Sequence, residues 1–177
     1  NPWSPGDDER QQDIADEGGQ TLREHLLWQL ELPQLSARQL AIGRAIIDAI
    51  NDDGYLTDPL EEIAATLRPE IDATQAEVAA ALDIVQALDP SGVGARSVSE
   101  CLLLQLKLLD PATPGLATAQ LLAQHHLEQV ANRDLAALRR ELHASDEELE
   151  HALALVRACH PHPGSVINTA AAEYVIP

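Results

Sequence analysis

The chain has 177 residues, 45% of them hydrophobic but only 2% aromatic, with no Phe and no Met. A core of Leu, Ile, Val and Ala is therefore expected, large enough to stand without disulfide or metal staples. Eleven Lys and Arg against 29 Asp and Glu give a formal net charge of -18, which excludes binding of nucleic acid by bulk phosphate neutralisation and favours a basic protein surface as partner.

Residues 1–20, NPWSPGDDERQQDIADEGGQ, carry six acids and one arginine. An acidic disordered tail is expected there, with Trp3 either a weak contact or a stray aromatic. Order begins at TLRE, where Thr21 and Glu24 form a capping box for the helix TLREHLLWQLEL. Leu22, Leu26, Leu30 and Trp28 give it a sticky face, and Pro33 interrupts it. Ser36 with Gln39 starts a second helix, whose Leu40, Ile42, Ile46, Ile47 and Ile50 keep helical spacing until NDDGYL stops it. Asp58-Pro59-Leu60-Glu61 opens another, with proline in the first turn. Thr74 with Glu77 opens the next, striped by Val78, Leu82 and Val85 and ended by Pro90. Ser97 with Glu100 opens a fifth, with Val98, Cys101, Leu102, Leu104 and Leu108 or Leu109 as core candidates. DPATPGLA, 110–117, reads as a linker or long loop. Helices over about 118–131, 134–142 and 146–158 follow, and then 161–177 loses helical period. The apolar YVIP at the end suggests that the chain stops just before a further element.

TQAEVAAALDIVQALDP (74–90) and SDEELEHALALVRACHP (145–161) match at an offset of 71, each led by a cap and preceded by a shorter helix. The expected fold is all-α: two related small antiparallel units joined by a loop, 21–110 and 111–177, behind the tail 1–20. No apolar run reaches the roughly 18 residues of a membrane span, and no basic leader opens the chain, so a cytoplasmic location is the default.

DPSGVGAR, 89–96, holds two glycines one residue apart. A phosphate loop would need a strand before them, and the residues before Asp89 are helical. A rigid corner accounts for it better: Pro90 stops one helix, Gly92 and Gly94 allow close approach or unusual angles, Val93 plugs the core, and Ser97 caps the next helix. Arg96 could pair with Asp89 or Glu100, or face a partner. A second corner, HPHPG, puts Cys159, His160 and His162 together, but without a fixed third ligand no metal is expected. His125 and His126 are neighbours on one helix and should point apart. Cys101 and Cys159 read as buried free thiols. Glu61-Glu62 and Glu147-Glu148 suit first turns, where the helix dipole favours negative charge. Ser91 lacks a nucleophile elbow. No cofactor and no enzyme activity are expected. Arg139 and Arg140, with Arg133, form one small basic spot, either a solvated face or a contact for an acidic partner surface.

Four segments in order, TLREHLLWQLEL (21–32), AIIDAINDDGYLT (45–57), LDPSGVGARSVSECLLLQL (88–106) and AEYVIP (172–177), resemble the bacterial sigma-54 family of RNA polymerase sigma factors. The resemblance covers most of residues 21–177. It implies the family's helical, two-part core-binding region, which attaches the factor to core RNA polymerase, with the first part associated with the polymerase β-flap. It implies no catalysis: promoter DNA and an ATP-hydrolysing AAA+ activator engage the full-length factor. The family's glutamine-rich activator-responsive region, helix-turn-helix and RpoN box have no counterpart here, so no direct DNA binding is expected. The DP-x-GV-x-AR pattern falls on Asp89, Pro90, Gly92, Val93, Ala95 and Arg96, and continues to Glu100 and Cys101. A second pattern, DPRPG, is met by HPHPG, with His160 in place of the acid and His162 in place of the arginine. On this reading Leu22, Leu26, Trp28, Arg96, Arg139 and Arg140 are the partner-binding candidates. Asp89, Pro90, Gly92, Val93, Gly94, Pro161 and Gly164 build the corners. The rival reading is a helical adaptor that docks a regulatory protein without touching polymerase.

Overall fold

A computed structural model describes residues 21–165; the tail with Trp3 and the segment with AEYVIP lie outside the described residues. Nine α-helices are found among the described residues: α1 Leu22–Leu30, α2 Ala37–Ala49, α3 Leu60–Leu67, α4 Gln75–Gln86, α5 Val98–Leu106, α6 Leu116–His125, α7 Leu127–Ala131, α8 Leu135–Leu142 and α9 Asp146–Ala158. The extended pairings there are two isolated bridges, Ile50 with Leu56 and Tyr55 with Ala95. The fold is all-α.

The caps form where the sequence places them. Thr21 and Glu24, Ser36 and Gln39, and Thr74 and Glu77 close reciprocal boxes, satisfying two orphan amides at each helix start. Ser97 and Ser145 complete only the forward half, at 3.1 and 3.2 Å. At Ser97 the carboxylate of Glu100 is turned instead toward Arg96 and Gln86.

Several expectations need correction. Pro59 stands at the N-cap of α3 rather than inside its first turn, and Asp58 does not cap it. The Pro59 carbonyl already accepts from the amides of Glu62 and Ile63, so the helix starts one residue later. The helix expected over 118–131 breaks at His126, whose backbone (φ -131, ψ 24) leaves the helical region. The break sets the His125 and His126 rings edge-on at 6.3 Å rather than apart, and brings His126 Nδ1 3.1 Å from Glu141 Oε2 on α8. The loop expected over 110–117 is shorter, because α6 already begins at Leu116: the Asp110 carboxylate accepts from the Ala112 amide at 2.9 Å, and Gly115 (φ +79) packs against α9, where a Cβ would lie 2.8 Å from the Ala152 nitrogen.

Two apolar clusters divide the chain. The first joins Leu22, Leu26 and Leu30 of α1 to Ile42, Ile46 and Ile47 of α2, Ile63 of α3, and Val78, Leu82 and Val85 of α4, with Leu56 and Val93 from the loops. Gly43 lies beneath Leu30, where a Cβ would approach the leucine to 3.0 Å, and so lets α1 settle close on α2. The second cluster joins Leu102 and Leu106 of α5 to Leu122, Leu138, Leu149, Leu153 and Val156 of the later helices. The apolar division thus falls between Val93 and Leu102, upstream of the 110/111 boundary expected from sequence. Val98, Leu108 and Leu109, expected in the core, are exposed; Val98 lies in the first turn of α5, and the two leucines follow its last residue.

Packing also exposes a longer internal correspondence. TLREHLLWQLEL (21–32) aligns with SVSECLLLQLKL (97–108) at an offset of 76, with six identities, Glu24/Glu100, Leu26/Leu102, Leu27/Leu103, Gln29/Gln105, Leu30/Leu106 and Leu32/Leu108. Leu26, Leu30, Leu102 and Leu106 are all buried, while Leu32 and Leu108 are both exposed. Each cluster therefore begins with its own capped leucine helix.

The two copies share a clamp. Gln29 Nε2 donates to the Asp89 carbonyl at 2.6 Å while the Asp89 amide donates to Gln29 Oε1 at 2.8 Å. Gln105 Nε2 donates to the His160 carbonyl at 2.7 Å while the His160 amide donates to Gln105 Oε1 at 2.8 Å. Asp89 and His160 are equivalent under the 71-residue offset. A glutamine carboxamide carries one donor and one acceptor face, so a single side chain can satisfy both polar groups of a residue that has just left a helix.

The second corner then docks on the first cluster. Gly164 donates its amide to the Asp53 carbonyl at 3.0 Å, Gly94 donates to the Gly54 carbonyl at 2.8 Å, and Leu56 donates to the Ala95 carbonyl at 2.9 Å. The Tyr55 hydroxyl donates to the Pro161 carbonyl. Backbone meets backbone here: a Cβ on Gly164 would fall 2.1 Å from the Asp52 carbonyl oxygen. Gly164→Ala is expected to separate the 160–164 corner from the 51–56 turn, lowering stability by about 2 kcal/mol; an unchanged urea midpoint would sink this account. Gln105→Leu removes both clamp bonds at similar volume and should cost roughly 1 kcal/mol, with faster hydrogen exchange at the His160 amide.

Arg38 ties α2 to the start of α4 through both Glu77 oxygens and donates to the Asp72 carbonyl at 2.8 Å. Its hydrogen bond, with the Thr74 amide, holds the exposed Glu77 carboxyl at about 2 against an ordinary 4.5. Because the folded value is depressed, the pair's stabilisation is complete above pH 4.5 and lost as pH falls through about 2. Thermal midpoints of Glu77→Gln should accordingly fall less than those of the native sequence over that interval; parallel curves would refute the pairing.

Candidate functional site

The DPSGVGAR corner organises the candidate residues. Gly92 (φ +93) and Gly94 (φ +78) occupy left-handed backbone. Gly92 also lies against α5, where a Cβ would sit 2.8 Å from Cys101 Sγ and from Gln105 Nε2. Val93 and Ala95 are fully buried. Asp89 is tied to α1: besides the Gln29 clamp, its carboxylate lies 3.3 Å from His25 Nε2. Arg96 pairs with Glu100 and not with Asp89, through Nη2 to Oε2 at 2.7 Å and Nε to Oε1 at 3.2 Å. Burial alone would push the Glu100 carboxyl up, but the Arg96 bonds bring it below its ordinary value. Gln86 adds a donor to Glu100 at 2.9 Å and a second bond to the Gly94 carbonyl at 3.0 Å. Of the two structural pairings open to Arg96, the structure takes Glu100. The corner is a braced turn in which every polar group named has a partner inside the protein.

The thiol in this region does not form a nucleophilic site. Cys101 is buried; Sγ lies 3.5 Å from the His160 carbonyl and accepts from Gln105 Nε2 at 3.3 Å. Burial raises its pKa, and burial together with its bond to Cys101 raises that of Tyr55. Both groups are thus held protonated at neutral pH, where they act as donors to the second corner. Cys159, only partly buried, bonds back to the Leu155 carbonyl at 3.4 Å. His162 meets the Tyr55 ring edge-on at 6.2 Å. The Cys159 thiol and the His162 ring are thereby directed to different neighbours, while His160 is held through its backbone.

The partner-binding candidates separate by exposure. Leu22 and Leu26 are 5% and 0% exposed and pack into the first cluster, because their i, i+4 spacing with Leu30 is the inward stripe of α1. They hold the helix and present no surface. Trp28 is 53% exposed and Leu32 64%, on the outward side; the Trp28 ring stacks on His25 at 6.4 Å between centroids and 21° between planes. Arg139 and Arg140 lie on exposed positions of α8, far along the chain in the second cluster, and Arg139 Nε pairs with Asp146 at 2.7 Å. Sequence reasoning missed Gln29, Tyr55, Gln105 and Gly54. The paired glutamines become visible only when 21–32 is aligned with 97–108, and Gly54 reads in sequence simply as a helix stop.

Comparison with known proteins follows the same segments. Residues 12–177 match the family model described as sigma-54 factor, core binding domain. The chain is similar to the RNA polymerase sigma-54 factor of Pseudomonas aeruginosa, 41% identical over 174 residues, covering 98% of this chain and 35% of that one. It is also similar to the sigma-54 factor of Azotobacter vinelandii, 43% identical over 159 residues (90% and 32% covered), and to that of Escherichia coli, 42% identical over 159 residues (89% and 33%). The chain therefore spans about a third of the length of these relatives. A family match that takes in both capped leucine helices, both clamped corners and everything between them leaves one assignment: the chain belongs to the sigma-54 factor core-binding-domain family.

Proposed function

We propose that this chain is the segment by which a sigma-54 type initiation factor attaches to core RNA polymerase, and that it catalyses no reaction itself. The observation that carries this reading is the outward side of α1. Trp28 stands exposed on α1 and Leu32 just beyond its end, and the helix is held by its capping box, by three buried leucines and by the Gln29 clamp. A large aromatic on a preorganised helix is the kind of residue that dominates protein interfaces. The surroundings are acidic, so a basic partner surface gains long-range attraction while DNA phosphates are repelled. The first cluster would meet the β-flap, and Arg139 and Arg140 would supply a separate contact to an acidic patch. Promoter DNA and the AAA+ activator would engage other parts of the full-length factor, and the setting would be cytoplasmic. Among the described residues no helix is long and apolar enough to cross a membrane.

Arg96 enters this reading as a brace, since its guanidinium is already engaged by Glu100. The adaptor reading predicts the same exposed patch, and binding tells them apart. Calorimetry with bacterial core RNA polymerase should give saturable binding, competed by a full-length sigma-54 factor and weakened by salt. Trp28→Ser should reduce affinity by about tenfold, roughly 1.4 kcal/mol, with an unchanged unfolding midpoint because the ring is exposed. An equal affinity for Trp28→Ser would remove α1 from the interface; no binding by the folded native chain would favour the adaptor.

A further inference from the structure

We infer that His25 is the positioning residue for Trp28, and that a proton on its imidazole tightens the seat of the exposed indole. The inference concerns the free chain and goes beyond the choice of partner. It begins in helix geometry. A long side chain on a helix lies back over the preceding turn, against the residues three and four positions earlier. For Trp28 those are His25 and Glu24. Glu24 is engaged elsewhere, its carboxylate accepting from the Thr21 amide at 3.2 Å. The His25 ring receives the indole, nearly parallel at 21° with 6.4 Å between centroids, as an offset stack.

The imidazole is itself anchored. Its side chain is 22% exposed and lies between two more exposed neighbours, the indole and the Asp89 carboxylate, which stands 3.3 Å from Nε2. The Asp89 backbone is fixed in turn by Gln29, the residue after Trp28, at 2.6 and 2.8 Å. One turn of α1 and the first corner thus close a ring of contacts, from Gln29 to Asp89 to His25 to Trp28. Histidine changes its charge between about pH 5 and 8. The neutral ring offers Asp89 one N–H and the indole a stacking face. The protonated ring carries a positive charge between a carboxylate and an electron-rich aromatic, and both attract it. The charged groups that α2 turns to α1 are answered by other residues: Asp48 is held by Arg23 at 2.7 Å and Arg44 by Glu31 at 3.0 Å. Protonation therefore moves Trp28 toward the stacked arrangement. The aromatic that α1 presents is held differently above and below neutral pH.

The test reads Trp28 in a Trp3→Phe chain, which leaves one of the two indoles. Emission and anisotropy are followed from about pH 8 to 5, with circular dichroism at each step to show the helices intact. A protonated imidazole in contact with an indole dims its emission by drawing electron density from the excited ring. The expected result is a single step in which emission falls and anisotropy rises, the ratio of stacked to unstacked indole growing roughly two- to fivefold. His25→Phe keeps a ring beneath Trp28 without a titrating group, and His25→Gln removes the ring; each abolishes the step. Flat emission in the Trp3→Phe chain, or the same step surviving in a folded His25 variant, overturns the assignment. No polymerase enters the experiment, so either result leaves the reading of the partner as it stands.

Discussion

A glutamine carboxamide bonded twice to one residue of the backbone is the interaction on which the rest of this structure depends. Each long helix that ends a cluster, α4 or α9, runs into a proline-containing corner, where the exposed amide and carbonyl have no helical partner. Gln29 answers for Asp89 and Gln105 for His160. In each case the glutamine lies on the capped leucine helix that opens the same cluster. First and last helices are thereby joined, and the corner is aimed. Once aimed, the second corner can approach the 51–56 turn so closely that only glycine fits at position 164.

This arrangement explains why the most recognisable motif in the chain carries no chemistry of its own. DPSGVGAR is assembled from residues that each answer a local geometric demand: glycines at positive φ, a valine in the core, an arginine bound to the next helix's Glu100. Its role is to orient helices whose outer sides remain free to meet other molecules. Among those outer sides is that of α1, where Trp28 stands exposed. Exposed ion pairs such as Arg23–Asp48 and Arg44–Glu31 add little stability individually, but they decide which charges are already answered within the chain and which await a partner.

Much of the fold was legible from local signals. Caps at Thr21, Ser36, Thr74, Ser97 and Ser145 are written into four-residue patterns, because each satisfies amides at most a turn away. The leucine and isoleucine stripes of α1, α2 and α4 follow from helical period alone. The break at His126 and the one-residue delay at Pro59 were not legible, since no residue pattern marks the non-helical backbone of His126 or the Pro59 carbonyl as the first helical acceptor. The membership of α5 was also hidden. Its stripe shows that it has a buried side, while the cluster that receives that side is settled by long-range packing.

The candidate site divides along the same line. Periodicity marked Leu22, Leu26 and Trp28 together as one sticky helix, but a helix has two sides, and only the presence of α2 beneath it made the leucines core and left the tryptophan to solvent. Arg96 had two structural pairings open in sequence; the Asp89 carboxylate faces His25 on α1, and Arg96 takes Glu100. By itself the sequence determined the helices, their caps, the corners and the net charge, because these arise from interactions between residues close along the chain. Only the tertiary structure decided which corner rests on which turn, because that depends on backbone segments more than a hundred residues apart meeting at van der Waals distance.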